Sequence, residues 1–149
     1  MLLTEKTVFD REFWEFASAE KATSLAGVPY TYEMLKKLKF MEMELPNLKT
    51  MTQAGGKLSV SLHREFAEYA AGHGKRFIVM YGQTEATARM GYLPAGEALN
   101  RCGSMGIVIP GGKFRLTGED GREIKEAGTT GELVYEGKNV MLGLALIHI

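Results

Sequence analysis

Cysteine is nearly missing from this chain, and an excess of either charge is missing altogether: 149 residues hold one Cys, and 18 Lys+Arg balance 18 Asp+Glu. A lone Cys102 forms neither an internal bridge nor a thiolate cluster, which excludes a disulfide framework and a Cys-held metal. Histidine is scarce as well, and His63, His73 and His148 stand at no metal-ligand spacing, so no His-held metal is expected. Binding to a phosphate backbone needs a clustered basic surplus, and none exists, so no nucleic-acid partner is expected. Long apolar runs are absent. The most apolar stretch, 140–147, is far shorter than the ~20 residues that span a bilayer, which predicts no membrane span and a strand or core segment instead. The start Met1-Leu2-Leu3-Thr4-Glu5-Lys6 lacks the basic and apolar regions of a secretory signal, so a cytoplasmic location is expected.

What is present is the composition of an ordinary globular domain, 45% hydrophobic and 24% charged, able to bury roughly 68–70% of its unfolded surface. Through about Cys102 the apolar period switches between helical spacing and short continuous runs. Asp10 is placed to cap a first helix, with Phe9 stapled onto Trp14. A second helix is expected after Pro29, with Tyr30, Met34, Leu35 and Leu38 on one face. A third is expected over 61–71, with Leu62, Phe66, Tyr69 and Ala70 on one side. Segments 48–52 and 77–81 have strand length, and the second is apolar throughout, as for a parallel strand covered on both faces. Beyond Cys102 glycines and turn pairs separate the β-prone pieces 107–109, 114–116 and 132–135. Asp120-Gly121 predicts a tight turn. The expected fold class is α/β: a partial layered sheet with flanking helices over 1–102, then a small β-rich, barrel-like piece over 103–149.

Two nucleotide patterns fail on inspection. The glycine fingerprint begun at Gly72 and Gly74 meets Phe77 instead of a third glycine, and the phosphate-loop pattern at Gly106 and Gly111 meets Gly112 where lysine is required. The informative piece is Tyr81-Gly82-Gln83-Thr84-Glu85, directly after the apolar strand. Ligands on open α/β sheets gather at the carboxyl ends of strands, where this segment emerges. Tyr81 offers a face for a base, Thr84 a hydroxyl for a phosphate or carbonyl oxygen, and Glu85 a hard carboxylate suited to Mg²⁺. The same residues also read as a packed tyrosine, a turning glycine and a helix start.

This segment resembles the Y-G-x-T-E signature of the AMP-forming acyl-adenylate synthetases. Other segments follow in the order that resemblance requires. Residues 23–29 resemble the segment ending in proline beside the acyl pocket, and Gln53-Ala54-Gly55-Gly56-Lys57-Leu58-Ser59 resembles the G-G-x-x-L-S loop. Gly103-Ser104-Met105-Gly106 with Pro110-Gly111 resembles G-S-x-G-x-x-x-P-G. Gly131-Glu132-Leu133 through Gly137, Val140-Met141 and Gly143 resembles the G-E-L-x-x-x-G-x-x-V-M-x-G strand pair.

The resemblance implies activation of a small carboxylic acid by ATP as an acyl-AMP, followed by transfer to a thiol, with coenzyme A as acceptor. It implies cofactor-binding roles for Gly55, Gly56, Tyr81, Gly82, Gln83 and Thr84, catalytic roles for Thr84 and Glu85, and Mg²⁺ held by Glu85. The lysine-bearing Ser/Thr/Gly loop of the family is not in this sequence, nor are its ribose-binding Asp and small C-terminal domain. Leu144 stands where the family usually has Tyr, and Lys57 where its loop often has a small residue or Pro. The chain is therefore expected to be a fragment of an ATP-dependent carboxylate–CoA ligase, inactive in isolation. Alternatives are an amino-acid adenylating domain, a ligase with an acceptor other than CoA, and a non-catalytic nucleotide-binding module. Gly103, Gly106, Gly111 and Gly131 read most simply as turns, and Lys57, Arg89 and Arg101 as solvated charges. The sequence leaves the acyl substrate and the oligomeric state open.

Overall fold

A computed structural model describes residues 4–143. Its centre is the unit the apolar pattern predicts: β2 (Thr50–Gln53), α3 (Val60–Gly72) and β3 (Arg76–Tyr81), with β2 and β3 parallel and Gln53 opposite Val79. Ser59 caps α3, its Oγ accepting the Leu62 N–H at 3.3 Å and satisfying one of the open donors of the first turn. Leu62, Phe66, Tyr69 and Ala70 are buried at the expected helical spacing.

The sheet has five strands in the order β1-β2-β3-β4-β5. β1 (Ser24–Gly27) adds in parallel to β2; β4 (Gly91–Tyr92) and β5 (Ile107–Val108) add antiparallel beyond β3. β5 thus joins this sheet although it follows the change in composition at Cys102. β6 (Gly112–Thr117) and β7 (Glu132–Gly137) form a separate antiparallel pair, with Gly121 at φ +76° in the turn that Asp120-Gly121 predicts. The architecture is mixed α/β, with helices flanking the larger sheet and a small β pair after it.

The core lies between that sheet and its helices. Tyr32 sits edge-on to Phe66 at 4.9 Å between ring centroids and to Phe77 at 5.4 Å, and Phe40 closes the cluster against Tyr69. α2 (Pro29–Lys37) therefore buries Tyr32, Met34 and Leu35, whereas Tyr30, expected on its inner face, is 61% exposed. The phase is set by Tyr32, whose hydroxyl donates to the Thr52 carbonyl at 2.8 Å.

α1 (Arg11–Ala19) begins where expected, but Asp10 makes no cap bond to it. Its carboxylate accepts instead from the Thr7 N–H and hydroxyl, bonds that hold its pKa below the usual value. Phe9 stays 55% exposed, and Trp14 packs on Phe13 and Phe40 while its Nε1 donates to the Val8 carbonyl.

β3 is not covered equally on both faces. Phe77 and Val79 are buried in the helix-facing cluster, but Ile78 and Met80 are only half-buried, because α2 and α3 both contribute to the one cluster on the Met51, Phe77 and Val79 side. The apolar segment 140–147 lies outside the described residues from 144 onward, Leu144 and His148 included. Within them, residues 140–143 form no strand and Leu142 is fully exposed.

Candidate functional site

The carboxyl ends of β2 and β3 open into two loops that face each other. On the β2 side, Gln53 is fully buried, and its Nε2 donates to the carbonyls of Ala54 at 3.1 Å and Gly56 at 2.9 Å. This side chain is a brace for the turn that follows. Gly55 and Gly56 take φ of +79° and +156°, and a Cβ on either would press within 3.1 Å of Val28 or Pro29. Glycine is thus required both by backbone angle and by the start of α2 behind the loop.

On the β3 side, Tyr81 leaves the strand with its ring edge toward Phe114, centroids 6.3 Å apart. Gly82 has no room for a side chain, since a Cβ would lie 2.0 Å from the Ala88 carbonyl oxygen. The chain makes one tight turn, Thr84–Ala86, and returns as β4, with Thr87 and Ala88 both at positive φ. Those strained residues are held by Asn139, whose Nδ2 donates to the carbonyls of Ala86 at 2.7 Å and Arg89 at 3.1 Å. Its own carbonyl accepts from Thr87 Oγ1, and its Oδ1 accepts the Tyr135 hydroxyl. Asn139 went unsuspected in the sequence because the turn it holds lies about fifty residues away. Replacing Asn139 by Ala is expected to lower stability by about 1–2 kcal/mol in urea titration, with loss of amide protection at Ala88.

Between the loops lies a cleft of about 340 Å³, lined by Gly55, Gly56, Tyr81 and Gly82, with His63 and residues 103–105 on the remaining side. Four of the expected site residues therefore share one cavity. Gln83, Thr84 and Glu85 do not line it. They follow directly, exposed on the tight turn at its rim, where Glu85 also accepts the Met141 N–H through its main-chain carbonyl. Tyr81 both lines the cleft and packs on Phe114, so the two readings of this tyrosine are compatible.

The cleft's chemistry fits a flat, uncharged ring better than a metal cage. Four glycines admit close approach of a ligand to backbone, and an aromatic ring stands beside them. Among the described residues no group of three or more His, Cys, Asp or Glu could hold a cation. Glu85 with the Thr84 hydroxyl suits Mg²⁺ only in the manner usual for that ion, with one carboxylate and most other ligands from phosphate and water. A larger cavity of about 530 Å³ lies at the amino-terminal side of β1, lined by Phe13, Trp14, Leu25, Leu45 and Pro46 among others. Glu20, Lys21 and Asn47 also line it, and it sits away from the carboxyl ends of the strands, where α/β sheets place ligands. No helix among the described residues is long and apolar enough to cross a membrane.

Comparison with known proteins bears on the fold and the family. The chain is 29% identical over 123 residues to an indoleacetate–CoA ligase of Aromatoleum aromaticum, covering 82% of this chain and 23% of that protein. It is 28% identical over 144 residues to a luciferin 4-monooxygenase of Luciola mingrelica, covering 92% and 25%. It thus spans about a quarter of the length of these curated relatives. The o-succinylbenzoate–CoA synthetase of Bacillus subtilis, solved with its acyl-adenylate intermediate, shares the fold at a TM-score of 0.73 and 21% identity over 88% of this chain and 25% of its own. The family model described as an AMP-binding enzyme matches residues 1–145. With that match running nearly end to end, the chain belongs to the AMP-binding enzyme family.

Proposed function

We propose that these residues form the nucleotide-facing part of a cytoplasmic ATP-dependent carboxylate–CoA ligase. The observation that carries this reading is the shared cleft of Gly55, Gly56, Tyr81 and Gly82 at the ends of two parallel strands. In it, the adenine ring stacks on Tyr81 and runs along the side-chain-free backbone of the two glycine loops. The carboxylate of a small organic acid attacks the α-phosphorus of ATP, the bond to pyrophosphate breaks, and the mixed anhydride acyl-AMP remains. A thiol then attacks the acyl carbon and AMP leaves.

The rim turn is where charge collects. There the Thr84 hydroxyl would donate toward the α-phosphate or the acyl carbonyl, Gln83 would border the bound nucleotide, and Glu85 would hold Mg²⁺. When bound, that ion neutralises charge on the phosphate oxygens and orients the leaving pyrophosphate. The 29% identity to an indoleacetate–CoA ligase supports coenzyme A as acceptor. The 28% identity to a luciferin 4-monooxygenase favours a second reading, in which another acceptor or chemistry follows the adenylate.

AMP binding tests the reading without requiring turnover. In calorimetric titration, Tyr81→Ala is expected to weaken AMP binding by about 1–3 kcal/mol, the worth of one stacked base, whereas Tyr81→Phe keeps most of it. Equal affinity in Tyr81→Ala and the unaltered chain would count against the stacking role.

A further inference from the structure

His63 is the one buried titratable side chain on the cleft, and nothing in the chemistry above uses it. It stands on α3, is 1% exposed, and lies edge-on to Phe77 with centroids 5.6 Å apart. Its Nδ1 accepts the N–H of Gly103 at 3.2 Å, a bond between groups 40 residues apart. Gly103 itself adopts φ +87°, and a Cβ there would come within 3.1 Å of Val60 Cγ2, so this stretch is pressed against the start of α3. Residues 103–105 form a wall of the cleft that Tyr81 and Gly82 also line.

The direction of that bond fixes the state of the ring. An imidazole nitrogen that accepts carries no proton, so in the neutral ring the proton is on Nε2. Nε2 has no partner within hydrogen-bond geometry, although the Ala98 carbonyl lies close enough to favour its protonated form. Burial, with Arg64 acting in the same sense, outweighs that pull and holds the ring below the ordinary histidine pKa. A neutral ring at neutral pH is what the Gly103 bond requires.

We propose that His63 is a positioning residue for the nucleotide cleft: its Nδ1 anchors the Gly103 amide, and through it the 103–105 wall, to α3 and β3. The anchor is a property of the free chain; its effect on a ligand rests on the adenylate reading. Protonation or loss of Nδ1 would set a donor or an apolar group against the Gly103 N–H and release the wall.

The test uses the ¹⁵N-labelled chain, with AMP as probe. Two-bond nitrogen correlation is expected to show His63 protonated at Nε2 and bare at Nδ1 at neutral pH. His63→Leu is expected to speed Gly103 amide exchange by about tenfold and weaken AMP binding by about three- to tenfold, the range for one lost hydrogen bond. His63→Asn, which places an acceptor near the Nδ1 position, is expected to restore both, a rescue that mere filling of space would not produce. A proton on Nδ1, or Gly103 exchange unchanged in His63→Leu, overturns the proposal. If His63→Leu does not fold, the tautomer in the unaltered chain still decides. Absence of AMP binding in the unaltered chain would tell against the adenylate reading, while the tautomer and the Gly103 amide continue to report on His63.

Discussion

Placing a single methyl group on Gly82 is expected to be among the most damaging changes in the chain. The added Cβ would lie 2.0 Å from the Ala88 carbonyl oxygen and 2.6 Å from its carbon. Both are backbone atoms of a stretch already held by Asn139, so neither can swing aside as a side-chain tip would. Overpacking of this kind costs on the order of 3 kcal/mol. In a domain of this size that corresponds to a fall in Tm of about 10 °C. Because the strain is released by moving the turn that carries Thr84 and Glu85, AMP binding should fail together with stability. Gly96→Ala is the matching control, since a Cβ at Gly96 meets nothing within 4 Å. Equal melting of the Gly82 and Gly96 variants would show that the turn is not packed as described.

The second large effect concerns Glu85. Its carboxylate is exposed at the rim of the cleft and makes no ion pair among the described residues, so it contributes little to the fold. A carboxylate that holds a cation against the phosphates acts mainly where charge redistributes, in the transition state. Glu85→Ala in the enzyme that carries these residues should therefore slow carboxylate-dependent exchange of pyrophosphate into ATP by about 10²–10³-fold, with Tm within a degree or two of the parent. Exchange at an undiminished rate would remove Glu85 from the reaction.

The contrast between these two positions explains how far the sequence could be read. The β2, α3 and β3 unit was legible because its signals are local: helical spacing of Leu62, Phe66, Tyr69 and Ala70, and an apolar run of strand length. Tyr81-Gly82 was legible because it follows directly from the apolar strand, whereas Gly55 and Gly56 stood out only through the resemblance. β1 was not. Ser24-Leu25-Ala26-Gly27 has none of the β-branched or aromatic residues that mark strands, and it is extended because β2 offers it a partner. Tyr32 takes the inner place expected of Tyr30 because the buried position is chosen by the Thr52 carbonyl and the rings of Phe66 and Phe77, none of them near in sequence. Asp10 is capped the wrong way round because Thr7 offers two donors before the helix begins. The Asn139 latch and the His63 anchor escaped for a stronger reason: each joins segments 40 or more residues apart.

Titration of AMP into the ¹⁵N-labelled chain most directly tests whether the cleft between the two glycine loops is the nucleotide's seat. The amides of Gly55, Gly56, Gly82 and Gly103 should shift together along one saturable curve, while those around Trp14 and Leu25 at the larger cavity stay in place. Shifts centred on that cavity, or no shifts at millimolar AMP, would contradict the assignment.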